Sequence, residues 1–200
     1  AIAMHAIREE TGIAYDDDDD ESEEDEFSSL SLEELRSKYP SLATSIDEAL
    51  EALSKKYKLT VDDQEERVRE AYERFYEDES VEQLEVISVL LPDSEISFCF
   101  DGWCNDEDHA ALIEDFVTAT KGELKIDKTN SFFVEEDDKW VVEFHLNGEK
   151  QSWKFEQHSD YISDRFIQKL ESLVKSQTGF EIHKIDAGDE YQAVILPAHP

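Results

Sequence analysis

Two hundred residues with 52 acids against 19 bases carry a formal charge of −33, and 39% of them are apolar, with eleven Phe and three Trp. That suffices for a folded core in one domain, or a domain with an appendage, while the charge repels DNA, RNA and anionic membrane and argues against direct nucleic-acid or membrane binding. Cys99 and Cys104 are too few for a disulfide scaffold, and the longest apolar cluster, VISVLL at 86–91, is too short to span a bilayer, so a cytoplasmic chain with reduced thiols is expected.

Nothing has the character of a signal peptide, and Met4 is read as the natural first residue. Residues 1–27 hold twelve acids and one base, and DDDDDESEEDE at 16–26 places ten acids in eleven positions. Such a run repels itself and cannot bury apolar surface, which predicts a disordered acidic tail. It serves either as a solvated tail that aids solubility or as a mobile arm toward a basic partner.

Residues 28–80 read as a helical segment. A short helix is predicted over 32–39, stopping before Pro40. From Ser41, Leu42, Ile46, Ala49, Leu53 and Tyr57 share a helical face, and Lys55, Lys56 and Lys58 suit its C-terminal end. Thr60-Val61-Asp62-Asp63 has the character of an N-cap before a helix that carries Val68, Ala71, Tyr72 and Phe75. The short link at 58–59 predicts that these two helices form an antiparallel hairpin.

Residues 81–200 read as an α+β domain, a largely antiparallel sheet with helices on one face. At 80–91, Ser80 with Gln83 would make a capping box, but Val86, Ile87 and Val89 before Pro92-Asp93 favour a strand, and a strand is expected. A further strand follows at 95–100, then a helix capped by Asn105, with Asp106, Glu107 and Asp108 in its first turn and Ile113, Phe116 and Val117 inward. Strands at 123–126 and 132–135, separated from the next by a turn at 136–138, lead into the central hairpin at 140–156. There Asn147-Gly148 supplies the positive φ of a type I′ turn. The turn pairs Leu146 with Glu149, Val142 with Trp153 and Trp140 with Phe155. It puts Trp140, Val142, Phe144, Leu146, Trp153 and Phe155 on one face, and Val141, Glu143, His145, Lys150 and Lys154 on the other. A final helix begins at Ser159 or Asp160, turns Ile162, Phe166, Leu170, Leu173 and Val174 inward and stops at Gly179. Strands at 180–185 and 191–196 close the chain across Ala187-Gly188. His145 and His183 are expected on the solvent side of their strands.

Few residues form a chemical signature. Cys99, Cys104 and His109 could supply three zinc ligands, but no fourth accompanies them and the cysteine spacing is wide for a structural site. Acids from Asp101 to Asp108 lack the spacing of an EF-hand loop. Asp101, Asp115, Glu123 and Lys125 superficially match an acid-x-Lys nuclease centre, yet this surface would repel a polyanion. No phosphate-binding glycine loop or nucleophile motif occurs, so neither metal, cofactor nor enzymatic activity is expected.

Charge distribution is more informative. From 75 to 120 there are thirteen acids and no Lys or Arg. Within it Asp101, Asp106, Glu107, Asp108, Glu114 and Asp115 surround Trp103. Trp103 either folds onto the core, leaving the acids merely solvated, or anchors an interface in which these seven residues meet Lys and Arg of a partner. In physical character, without a shared motif, such a chain resembles the acidic inhibitors of basic nucleases found among bacterial immunity proteins and phage DNA mimics. The expected function is therefore a non-enzymatic binding protein that neutralises a basic partner, a toxin acting on nucleic acid. The alternative is an acidic chaperone or carrier of basic proteins such as histones or ribosomal proteins.

Overall fold

A computed structural model describes residues 29–78, 80–103, 105–157, 160–188 and 190–198. The acidic run at 16–26, and with it the expectation of disorder, lies outside them. The chain divides into two compact units, 1–40 and 41–200. No helix among the described residues is long and apolar enough to cross a membrane.

In the first unit, α1 spans Leu32–Lys38 and opens with a capping box between Ser31 and Glu34. The Ser31 hydroxyl accepts from the Glu34 N–H, while the Glu34 carboxylate accepts from the Ser31 hydroxyl at 2.7 Å and from the Ser31 N–H at 2.8 Å, and the two bonds to the carboxylate hold the Glu34 pKa below the ordinary carboxylate range.

The second unit is α+β. Its first helix, α2 (Pro40–Ala52), runs on into a π turn at Leu53–Tyr57, which ends where Lys58 adopts φ +55. Leu42, Ile46, Ala49, Leu53 and Tyr57 are buried, as their spacing predicts. Next, α3 (Gln64–Phe75) starts where the sequence indicates, but Asp63 sits at φ +48 and makes no side-chain cap. The helix packed most closely on α3 is α4 (Gln83–Leu90), not the α2 of the expected hairpin.

The strand expected at 80–91 is this helix α4. Its capping box is Glu82 with Glu85, and the hydroxyl of buried Ser88 donates to the Glu85 carbonyl, a bond that helical geometry supplies. Every residue from Val86 to Leu90 is buried, because α4 packs against both α3 and the β5–β6 hairpin described below. A helix covered on all sides loses its 3.6-residue polar rhythm, and its sequence then looks like that of a buried strand.

Two three-stranded antiparallel sheets form where one was expected. The first joins β1 (Glu95–Cys99), β6 (Glu190–Pro197) and β5 (Phe180–Ile185) in that order, with Cys99 opposite Glu190. The second joins β2 (Ile126–Val134), β3 (Lys139–Leu146) and β4 (Glu149–Phe155). The two strands expected at 123–126 and 132–135 are thus one, interrupted where pairing shifts between Asp127 and Asn130 and Lys128 takes φ +54. The β3–β4 register is the predicted one, with Asn147 at φ +54 and Gly148 at φ +82.

Between β1 and β2 runs α5 (Asp108–Ala119), and between β4 and β5 runs α6 (Asp164–Gln177). Asn105 does not cap α5, since the helix begins three residues later with Glu107 as N-cap. Likewise α6 starts after Ser163, not at 159–160, so Ile162 precedes it. Its end is closed by Thr178, whose hydroxyl donates to the Val174 carbonyl and accepts from Phe180 N–H. Gly179 has no positive φ and is not the stop. Trp140, Val142 and Phe144, Ile113 and Phe116, Phe166 and Leu170, and Ala193 and Ile195 meet in one core shared by both sheets and both helices.

Candidate partner-binding surface

The loop after β1 turns at Gly102, whose φ of +84 a residue with a side chain would adopt only under strain. Trp103 then folds back inward. Its indole N–H donates to the Cys99 carbonyl at 2.7 Å, and its ring meets Phe98 edge-on at 5.2 Å and tilts over His109 at 5.6 Å. It is half-buried against the core and pins the loop from inside.

The carboxylates around it divide by what they bind. The Asp106 carboxylate accepts from Phe133 N–H at 3.1 Å and its carbonyl accepts from the Ser131 hydroxyl, tying the loop to β2. Asp108 reaches back to accept from Asn105 N–H at 2.9 Å, so the turn is held by the first helical residue. Glu114 accepts from the Thr129 hydroxyl at 2.6 Å. Asp115, seven residues along α5 from Asp108, has its pKa raised by partial burial and by the charge of Glu114. Asp108 and Asp115 share a shallow depression of about 340 Å³ with Asp101, Trp103 and Leu112. Asp101 and Glu107 are exposed. All seven predicted residues therefore lie on the loop and the first two turns of α5, with Asp106 and Glu114 on the side facing β2.

Of the thirteen acids in 75–120, Glu79 lies outside the described residues, and none of the other twelve is buried. No ion pair among the described residues engages any of them. Pairs such as Lys150–Glu143 at 3.0 Å and Lys184–Glu171 at 2.8 Å lie elsewhere.

The remaining sequence candidates serve the fold. His109 is fully buried, ringed by Trp103, Trp140, Phe155 and Phe166, with Nε2 3.1 Å from the Gln157 amide oxygen. Burial pushes its imidazole down to about 4, so it is neutral at pH 7. The Cys99 thiol donates to Glu190 at 3.4 Å, and that carboxylate raises its pKa, leaving a weak nucleophile. Cys104 lies outside the described residues, among which no three His, Cys, Asp or Glu are grouped to hold a metal. Glu123 accepts from Gly179 N–H at 3.0 Å and Lys125 donates to the Gly122 carbonyl. His145 is half-exposed, 3.9 Å from Asp127, and His183 is half-buried with its ring edge-on to Tyr57.

Sequence reasoning missed the surroundings of Asp101. Glu156, Asp164 and Glu190 come beside it from distant stretches, Glu190 through the β1–β6 pairing with Cys99, and no local sequence signal announces any of them. No family model, curated protein or solved structure matches the chain.

Proposed function

We propose that this chain is a non-enzymatic, cytoplasmic binding protein that neutralises a basic protein partner, acting as the inhibitor or immunity protein of a toxin that attacks nucleic acid. Its carboxylates occupy positions that substrate phosphates would take on the toxin. The observation that carries the reading is the 75–120 stretch, where every described carboxylate reaches solvent and none pairs with a base among the described residues. Unpaired carboxylates concentrated on one stretch give a directional field that speeds capture of a cationic surface and repels nucleic acid. The internal bonds of Asp106, Asp108 and Glu114 support the same reading, because they hold the carboxylates in fixed positions before a partner arrives. Trp103 acts here as the internal anchor of the loop.

Affinity purification of the chain from its native host tests this. An inhibitor recovers one basic protein at one-to-one stoichiometry, whereas recovery of many unrelated basic proteins points to a chaperone and overturns the inhibitor reading.

A further inference from the structure

A cleft of about 940 Å³ opens beside Asp101. Its walls come from the end of β1 and the following loop, the segment after β4, the start of α6 and the β5–β6 turn. Among the described residues four carboxylates line it, those of Asp101, Glu156, Asp164 and Glu190, with the Glu156 carboxylate 3.8 Å from the Lys139 ammonium, against the single guanidinium of Arg165. Tyr161 stands on the same lining at 57% exposure, one of two large apolar side chains left exposed among the described residues. An aromatic ring exposed beside a polar cleft offers a face on which a planar partner group can stack.

The position of Tyr161 is fixed by the backbone on either side of it. Trp103 N–H donates to the Asp160 carbonyl at 2.8 Å, and Ile162 N–H donates to the Phe100 carbonyl at 2.8 Å. The opposite wall is fixed as well, since Glu190 pairs with Cys99 in the β1–β6 ladder and accepts from its thiol. A backbone at Tyr161 and a Glu190 carboxylate held this way lose little freedom when a ligand enters.

We infer that the cleft seats an arginine side chain of the basic partner, with its guanidinium on the Tyr161 ring and its N–H groups donating to the surrounding carboxylates; this rests on the function proposed above. The choice of arginine over lysine follows from the lining. A planar guanidinium stacks on an aromatic face, is less strongly hydrated than an ammonium and presents a fork of donors to more than one carboxylate at once. The volume lies at the upper end of ordinary ligand pockets, so the arginine enters on a short segment of chain.

The test titrates the full chain with two blocked peptides of equal charge, four Gly-Arg repeats and four Gly-Lys repeats, following backbone amide shifts by NMR. The arginine peptide is expected to bind about two- to fivefold more tightly. Its shifts should concentrate at residues 99–103 and 160–165. Tyr161→Ala, at an exposed position, should erase that preference while leaving the lysine peptide's affinity unchanged, and Tyr161→Phe should retain it. Equal affinities for wild type, or a preference that survives Tyr161→Ala, would overturn the arginine seat and leave the wider reading of a basic partner standing. If neither peptide binds, both readings fall.

Discussion

His109 ties the acidic loop to the core at the cost of burying a titratable ring. Its Nε2 meets Gln157, whose amide in turn donates to the Trp103 carbonyl, so loop, ring and the segment after β4 form one chain of bonds. The unfolded histidine takes up a proton near pH 6.5 and the folded one only near about 4. Between those values the unfolded state holds the extra proton, so this contribution is fully present above pH 6.5 and is lost as pH falls toward 4. The slope is about 1.4 kcal/mol per pH unit. Urea denaturation of wild type and His109→Phe through that window should show a shallower slope in the variant by roughly that amount. Comparing the two slopes removes the titrations common to both proteins. Coincident slopes would mean that the ring is not buried and neutral. The sequence offered His109 only as a metal ligand, because nothing local to it announces the Trp140, Phe155 and Phe166 rings that surround it.

Among the elements, the β3–β4 hairpin was legible and α4 was not, for opposite reasons. Asn147-Gly148 and strict alternation specify the hairpin locally, and the register follows from the turn. Trp153 stands edge-on to Phe144 at 4.8 Å, with the Lys169 ammonium over its ring, 4.8 Å from the centroid. Trp153→Ala should cost about 3 kcal/mol. Gly148→Val meets no clash, since nothing lies within 4 Å of an added Cβ, but it forces a β-branched residue to φ +82 and should cost about 1–2 kcal/mol. Thermal melts of both check the register, and an unchanged melting temperature in either would contradict it. In α4 the pattern misled because burial on all sides removed the polar positions by which a helix is recognised. The division into two sheets was equally hidden: pairing β1 with β6 across some ninety residues leaves no mark on either strand alone.

On the scale of the whole molecule, charge decides what the chain can approach, and its distribution decides where. The interval without bases was readable directly from the sequence. That none of its described carboxylates is buried or ion-paired with a described base, while acids elsewhere find lysines, could be seen only once the fold had brought β3 to β4 and α6 to β5. The cleft beside Asp101 was not legible for a similar reason, as its lining comes from four stretches joined only by tertiary pairing.

The most direct measurement of the central claim compares two double charge reversals in binding to the protein recovered with the chain from its host. Asp101→Lys with Glu107→Lys alters exposed acids of the 75–120 stretch, and Glu149→Lys with Glu181→Lys alters exposed acids outside it by the same charge. The first pair should slow association by about tenfold or more near 0.1 M salt, and most of that loss should vanish near 1 M, where the Debye length falls to about 3 Å. The second pair should change the rate by no more than about twofold, as a small change in net charge would. Equal slowing by both pairs would show that only bulk charge matters, and no slowing by either would contradict electrostatic capture of a basic partner.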